Sequence, residues 1–307
     1  MSTAALWHRC LSFLALLAFP LILFAGTEAD EPVANYHART SEVRITFFTT
    51  DQSNRLVETV DVADFAVVDG DTVVRSFRSL TRSDETSLDV IALVDVSESV
   101  GQRFQATIGE VLRLVSSESF IPQDRISIVT FGGVHPTLLC TRTCNSYGAV
   151  QGLRALQPAG PTPLFDALAD TSNFVSATHV EGVRQVVVLF SDGDDTISKT
   201  SATDALAALT ASGALIYSVD VNEQSNPKGI AVLKRITEST GGRSFSLRDG
   251  TTQVLSAALA DLRGSYVVTY QPPNTITGFH SLRILPRHNL NLQFHCRRGY
   301  YYEKGGS

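Results

Sequence analysis

The stretch Val90-Ile91-Ala92-Leu93-Val94-Asp95-Val96-Ser97-Glu98-Ser99 runs from an unbroken apolar segment into an acid and two hydroxyls spaced by two. Five consecutive apolar residues read as a strand covered on both faces, the habit of parallel sheets flanked by helices. In an open parallel sheet, ligands bind beyond the carboxyl ends of the strands. Asp95, Ser97 and Ser99 therefore stand where a site is expected, and hard divalent cations take oxygen ligands of this kind. An Asp-Xaa-Ser turn alone is also an ordinary helix cap, so the surrounding pattern decides.

That pattern is βα alternation. Gln102–Ser116 places Phe104, Ile108, Val111, Leu112 and Val115 at helical spacing. Arg125–Phe131 reads as the next strand, with Val134–Cys140 as a hairpin partner. Tyr147–Leu156 and Pro163–Ala177 read as helices, the second with Leu164, Phe165, Leu168 and Phe174 on one side. Gln185–Phe190 is a second fully buried strand. Helix Ala202–Ala211, strand Ala214–Val221, helix Pro227–Thr240, strand Arg243–Leu247 and helix Thr252–Arg263 follow. Gly241-Gly242 stops the helix before it. Repeated βα units imply an α/β fold with a doubly wound, mostly parallel sheet over residues 88–263.

Both flanks change period. Val43, Ile45 and Phe47 alternate with polar residues, and Phe65–Val74 reads as two strands joined at Asp69-Gly70. Residues 42–87 thus read as a β segment ending in a polar linker, Thr81–Ser87. After Gly264, the alternating runs Ser265–Tyr270, Phe279–Leu285 and Leu290–Phe294, then Gly299-Tyr300-Tyr301-Tyr302, form a second β segment over 264–302, with a tail at 303–307. Neither flank has enough strands to stand alone, so the two are expected to pair into a small β unit.

The chain has 307 residues, 43% hydrophobic and 18% charged, which is globular composition. A formal net charge of −6 makes a nucleic-acid backbone an unsuitable partner. Leu11–Ala25 is an apolar run behind His8 and Arg9, the layout of a secretory signal spanning residues 1–29, with a cleavage site at Thr27-Glu28-Ala29. An uncleaved anchor touching the membrane is the alternative. Residues 30–41 read as a flexible lead. Cys10 precedes the apolar run, leaving Cys140, Cys144 and Cys296. Export permits a disulfide, and Cys140 with Cys144 could close a small ring. Their spacing lacks the second Cys or His pair a zinc site needs, and His135 stands alone.

Three loops share the carboxyl edge: Asp95-Val96-Ser97-Glu98-Ser99; Gly160-Pro161-Thr162-Pro163 before the helix that starts Leu164-Phe165-Asp166; and Ser191-Asp192-Gly193-Asp194-Asp195 after Phe190. All supply oxygen, and none supplies imidazole or thiolate, which suits Mg²⁺, Ca²⁺ or Mn²⁺. This combination resembles the von Willebrand factor type A domain with its metal-ion-dependent adhesion site. The resemblance rests on Ile91–Asp95, Thr162–Leu168 and Val188–Gly193, and covers about Leu88 to Arg263. Glu238–Phe245, Tyr266–Tyr270, Arg298–Tyr301 and Val62-Ala63-Asp64-Phe65 are similar to exported bacterial type A-related proteins. The resemblance implies a cation held by Asp95, Ser97, Ser99, Thr162 and Asp192, the serines and often the threonine directly and the aspartates mostly through water. It implies an open position for an Asp or Glu of a protein partner, hence an exported, periplasmic or envelope-associated binding module for adhesion or scaffolding, not an enzyme.

Some positions depart from family usage. Glu98 stands where glycine is frequent, Val100 replaces a frequent methionine, and Pro161 replaces a common glycine. Asp194 and Asp195 read as further acids near the ion or as solvated turn residues, and Asp166 as capping or solvating its own helix near the N-terminus. Two alternatives are a purely structural type A fold without metal and a Mg²⁺-dependent phosphatase-like hydrolase. The hydrolase needs a second aspartate where Ser97 stands, and a lysine for which Lys199 is the candidate. No Gly-Xaa-Ser-Xaa-Gly elbow and no Gly-Xaa-Gly-Xaa-Xaa-Gly loop after Asp95 occur.

Overall fold

Strand β1 (Val43–Thr50) opens the chain as described by the computed structural model, which covers residues 42–302 apart from 85, 134, 135, 142, 143, 181, 223, 225 and 250. The expected signal and lead, Cys10, His135 and the 303–307 tail lie outside the described residues. Strands β2 (Phe65–Asp69), β3 (Thr72–Val73) and β4 (Ser79–Arg82) follow. The α/β layer then runs β5 (Leu88–Asp95), α1 (Phe104–Val115), β6 (Arg125–Phe131), β7 (Thr137–Thr141), α2 (Tyr147–Ala155), α3 (Leu164–Ala177) and β8 (Arg184–Ser191). It continues with α4 (Ala202–Ser212), β9 (Leu215–Asp220), α5 (Pro227–Thr240), β10 (Ser244–Ser246) and α6 (Thr251–Arg263). Strands β11 (Tyr266–Tyr270), β12 (Gly278–Pro286), β13 (Gln293–Cys296) and β14 (Gly299–Tyr302) complete the order.

The central sheet has the order β10-β9-β8-β5-β6-β7. Its pairs are parallel except β6 with the edge strand β7. The apolar run of β5 is explained by its two faces. Val90, Ala92 and Val94 pack with Ile108 and Val111 of α1 and Leu259 and Leu262 of α6. Ile91 and Leu93 pack the other way with Leu164 and Leu168 of α3, Leu209 of α4 and Leu233 of α5. Each such side chain taken wholly out of water contributes about 1.5–3 kcal/mol. Local signals set the helix ends. Asn226 caps α5 by accepting the Gly229 N–H, Pro227 occupies its first turn, and Gly241 ends it at φ 91°.

The flanking strands pair across the length of the chain into two four-stranded sheets, β13-β1-β11-β4 and β14-β12-β2-β3. Between them lies a shared core of Ile45, Phe47, Phe65, Val67, Tyr266, Val268, Tyr270, Leu282 and Ile284. Strand β1 is two-sided. Ile45 and Phe47 enter that core, while Phe48 belongs to the α/β core and stacks on His295 with ring centroids 4.6 Å apart. The Arg243 guanidinium lies 5.5 Å from the Phe48 ring centre and pairs with Asp261 at 2.8 Å, so the sandwich is seated on the α/β layer.

The structure corrects several sequence expectations. Ser79–Arg82 is strand β4, paired with β11, so the polar linker begins only after Arg82. Phe174 of α3 is exposed, and Ala167, Thr171 and Val175 occupy the buried face instead. The penultimate strand starts at Gln293, because Leu292 N–H closes a turn on Asn289 O. Cys140 and Cys144 form a disulfide at the end of β7, and Cys296 is a free thiol pushed up to about 11 by burial.

Candidate metal centre

Three loops meet at the carboxyl edge of the central sheet. The loop after β5 is fixed by Val96 N–H on Phe131 O at 2.8 Å and tied to the loop before α3 by Glu98 N–H on Gly160 O at 3.0 Å and Ala159 N–H on Val96 O at 2.9 Å. The loop after β8 joins it through a side chain: Ser191 Oγ donates to Asp95 Oδ2 at 2.8 Å.

Asp95 ends β5 and is 1% exposed. Its Oδ1 accepts the Ser97 N–H at 2.9 Å. Burial pushes its carboxyl up to about 6, the hydrogen bonds from Ser97 and Ser191 pull down, and the nearby Asp192 charge pushes up again. Ser97 is buried and Ser99 exposed, with their hydroxyls 3.0 Å apart, so the pair leads from the interior to the surface. Thr162 is buried; its N–H donates to Thr196 Oγ1 at 2.8 Å and its carbonyl accepts the Thr196 N–H at 2.8 Å. Asp192 is buried, and its Oδ1 accepts the Asp194 N–H at 3.0 Å.

Asp95, Ser97 and Ser99 thus touch directly. Asp192 acts on Asp95 by charge and through its neighbour Ser191. Thr162 reaches the group through its loop and makes no hydrogen bond to the other four. Neither Asp95 nor Asp192 forms an ion pair among the described residues. These two buried acids, coupled by charge, are met by N–H and hydroxyl donors but by no cationic side chain among the described residues, a condition that a divalent cation would relieve. Among the described residues no three His, Cys, Asp or Glu cluster in a metal-holding group, so two carboxylates with three hydroxyls are the relevant donor set. Its all-oxygen chemistry fits Mg²⁺, Ca²⁺ or Mn²⁺.

Support comes from residues that the sequence reading passed over. Ser191 is fully buried and also accepts the Gly193 N–H at 3.1 Å, so it orients Asp95. Asn222 Nδ2 donates to Asp192 O at 2.9 Å and to Asp220 Oδ1 at 2.7 Å, while Arg248 pairs with Asp220 Oδ2 at 3.0 Å. This hangs the Asp192 loop on the end of the next strand. A methyl added at Gly229 would sit 2.1 Å from Asp192 O, so α5 starts against this loop only because residue 229 is glycine. Ser191 could have been marked as the polar end of a buried strand; Asn222 carried no such signal.

The other acids have structural work. Asp166 does not cap its own helix: its carboxylate accepts Lys199 N–H and Thr200 N–H, and the Thr200 hydrogen bond is the main cause holding it below the usual carboxylate range. Asp195 and Ser198 cap α3 instead, accepting Phe165 N–H at 3.3 and 3.0 Å. Asp194 accepts from Asn226 at 3.1 Å. Glu98 and Lys199 are exposed.

No curated protein sequence matches the chain. Among solved structures it is similar to the manganese-loaded TRAP protein of Plasmodium vivax (15% identity, 76% of this chain and 98% of that one, TM-score 0.45). It is similar also to an aerotolerance-related membrane protein of Bacteroides fragilis (16% identity, 57% and 98%, TM-score 0.45). A third is proximal thread matrix protein 1 from the mussel byssus, with a zinc-occupied MIDAS motif (16% identity, 63% and 49%, TM-score 0.46). At these scores none bears on the site. Residues 90–194, the stretch that holds Asp95, Ser97, Ser99, Thr162 and Asp192, match the family model of the von Willebrand factor type A domain.

Proposed function

We propose that the protein is a non-enzymatic, exported binding module whose von Willebrand factor type A domain holds a divalent cation at Asp95, Ser97, Ser99, Thr162 and Asp192. The observation that carries the reading is the buried Asp95 beside Asp192, acids without a cationic partner, opening to solvent through the Ser97–Ser99 hydroxyl pair. A divalent cation held there would offer an open coordination position to an Asp or Glu of a partner. Ser97, Ser99 and Thr162 would supply hydroxyl oxygens, and Asp95 and Asp192 carboxylate charge. Ser191 keeps one Asp95 oxygen turned into the fold. Export rests on the N-terminal apolar run; among the described residues no helix is long and apolar enough to cross a membrane.

The test is calorimetric titration of Mg²⁺ and Mn²⁺ into the wild type and the Asp95→Ala/Ser97→Ala double variant. Saturable binding by the wild type alone is expected, and equal binding by both removes the cation claim. Phosphatase activity lost in Asp95→Asn would instead favour a hydrolase.

A further inference from the structure

On the edge of the central sheet opposite the metal centre, where the sandwich meets the α/β layer, lies a cavity of about 40 Å³. Thr46 and Arg297 line it from the sandwich side, and Arg184, Thr210, Ser239 and Thr240 from the α/β side. Two arginines are therefore among the residues that line one small space, and no acid among the described residues lines it. Neither arginine forms an ion pair among the described residues. Arg184 spends one nitrogen, Nη1, on Leu262 O at 2.9 Å and on Ser265 Oγ. The Arg297 guanidinium has no hydrogen-bond partner among the described residues.

Nearby groups do not offset these charges. The carbonyl ends of α4 and α5 approach the cavity, but Leu209 O accepts from Ser212 Oγ, and Thr237 O accepts from both Gly241 N–H and Gly242 N–H. The hydroxyls of Thr210, Ser239 and Thr240 give their protons to Leu206, Ile236 and Thr237 carbonyls, leaving the guanidiniums as the donors. Burial lowers both arginines, Arg184 to about 10, the mark of a cation taken from water without a counter-charge. A water needs roughly 10–15 Å³ of such space. The cavity therefore has room for a few waters or for one tetrahedral oxyanion.

We propose that this seam cavity is a binding site for a tetrahedral oxyanion, inorganic phosphate or sulfate, held by Arg297 of the sandwich and Arg184 of the α/β layer. Guanidinium is the side chain whose donors match such oxygens. The bound anion would tie the two layers together and stabilise the fold by mass action.

The test is titration of phosphate and of sulfate into the full chain, with EDTA present and chloride holding ionic strength constant. The outcome is then independent of the cation site. Phosphate and sulfate also stabilise proteins by exclusion from their surface, an effect that does not saturate. Saturable one-to-one binding is expected, with a matching rise in melting temperature. Arg297→Gln should lose at least tenfold in affinity (about 1.4 kcal/mol), and Arg297→Lys should retain part of it. Phosphate binding without sulfate would assign the site to phosphate, and the converse to sulfate. No saturable binding of either by the wild type overturns the proposal, as does unchanged binding in a folded Arg297→Gln. Were that variant unfolded, Arg184→Gln with the same titration decides by the same criterion.

Discussion

Two carboxylates at comparable depth are treated oppositely by this molecule. Asp69, in the sandwich, is wholly buried; its Oδ2 accepts Tyr270 OH at 2.9 Å and Tyr300 OH at 2.8 Å, and its Oδ1 lies 3.3 Å from His280 Nδ1. His280 Nε2 donates to Ile276 O at 2.7 Å, since a carbonyl can only accept. Asp95, at the sheet edge, is as buried but accepts from the Ser97 N–H, two residues on, and the Ser191 hydroxyl, 96 residues on, with a second acid near enough to act on it by charge. Burying a carboxylate demands compensation. The sandwich provides it from side chains on β11, β12 and β14, whereas the edge provides an N–H and a serine hydroxyl but no cationic or aromatic partner among the described residues. A satisfied buried acid belongs to the fold, and an under-satisfied one near the surface belongs to a site.

The largest effect should come from exchanging the two acids' fates. Asp69→Ala strands two tyrosine hydroxyls and an imidazole in the core, and is expected to cost about 3 kcal/mol or more in urea unfolding. Asp95→Asn, measured in EDTA, should change stability by no more than about 1 kcal/mol while abolishing cation binding. Equal losses in the two variants would erase the distinction drawn here.

A smaller effect tests whether the edge depends on close backbone packing. Gly229→Ala places a methyl against the Asp192 carbonyl, where backbone must move, and should cost about 2 kcal/mol. Cation affinity should fall with it, because the Asp192 loop shifts. A variant with native affinity would show that this approach positions nothing.

The smallest effects are slopes with pH in metal-free protein. Asp95 is raised to about 6, so its neutral form is favoured by folding, and its contribution is lost as pH rises from about 4 through 6. His295, stacked on Phe48, is lowered to about 4 by burial, so its contribution is present above the ordinary histidine range and lost as pH falls from 6.5 toward 4. The two oppose each other in one window. Urea midpoints from pH 4 to 7 in EDTA should fall more steeply toward acid in Asp95→Asn. In His295→Gln they should fall toward neutral pH, each change being about 1 kcal/mol after solvent screening. Parallel curves for all three proteins would contradict both assignments.

Much of the α/β layer was legible because its signals are local. The β5 run is apolar on both faces because helices cover both, and Pro227, Gly213 and Gly241 mark helix ends through backbone geometry that needs no partner. Legibility failed where partners are remote. Thr81-Arg82 looks like the start of the polar linker because an exposed edge strand carries few apolar residues, and only pairing with β11 makes Ser79–Arg82 a strand. Phe174 looked like a core residue because α3's heptad-like spacing is ambiguous, and packing chose Thr171 and Val175 instead. At the site, residue type and loop position could be read for Asp95, Ser97, Ser99, Thr162 and Asp192. The assignment of Asp166 to the Lys199–Thr200 backbone and the support from Ser191 and Asn222 could not.

By itself, then, the sequence determined the order of elements, the doubly wound sheet and the loops that bear the carboxylates and hydroxyls, since periodicity, caps and turn residues act over a few positions. The tertiary structure alone decided that Asp95 lies within reach of Asp192 across 97 residues, that Asp69 is satisfied by tyrosines more than 200 residues away, and that Arg184 and Arg297 share a cavity. Burial, charge coupling and hydrogen-bond satisfaction are properties of what surrounds a side chain, and the surroundings exist only once the chain has closed on itself.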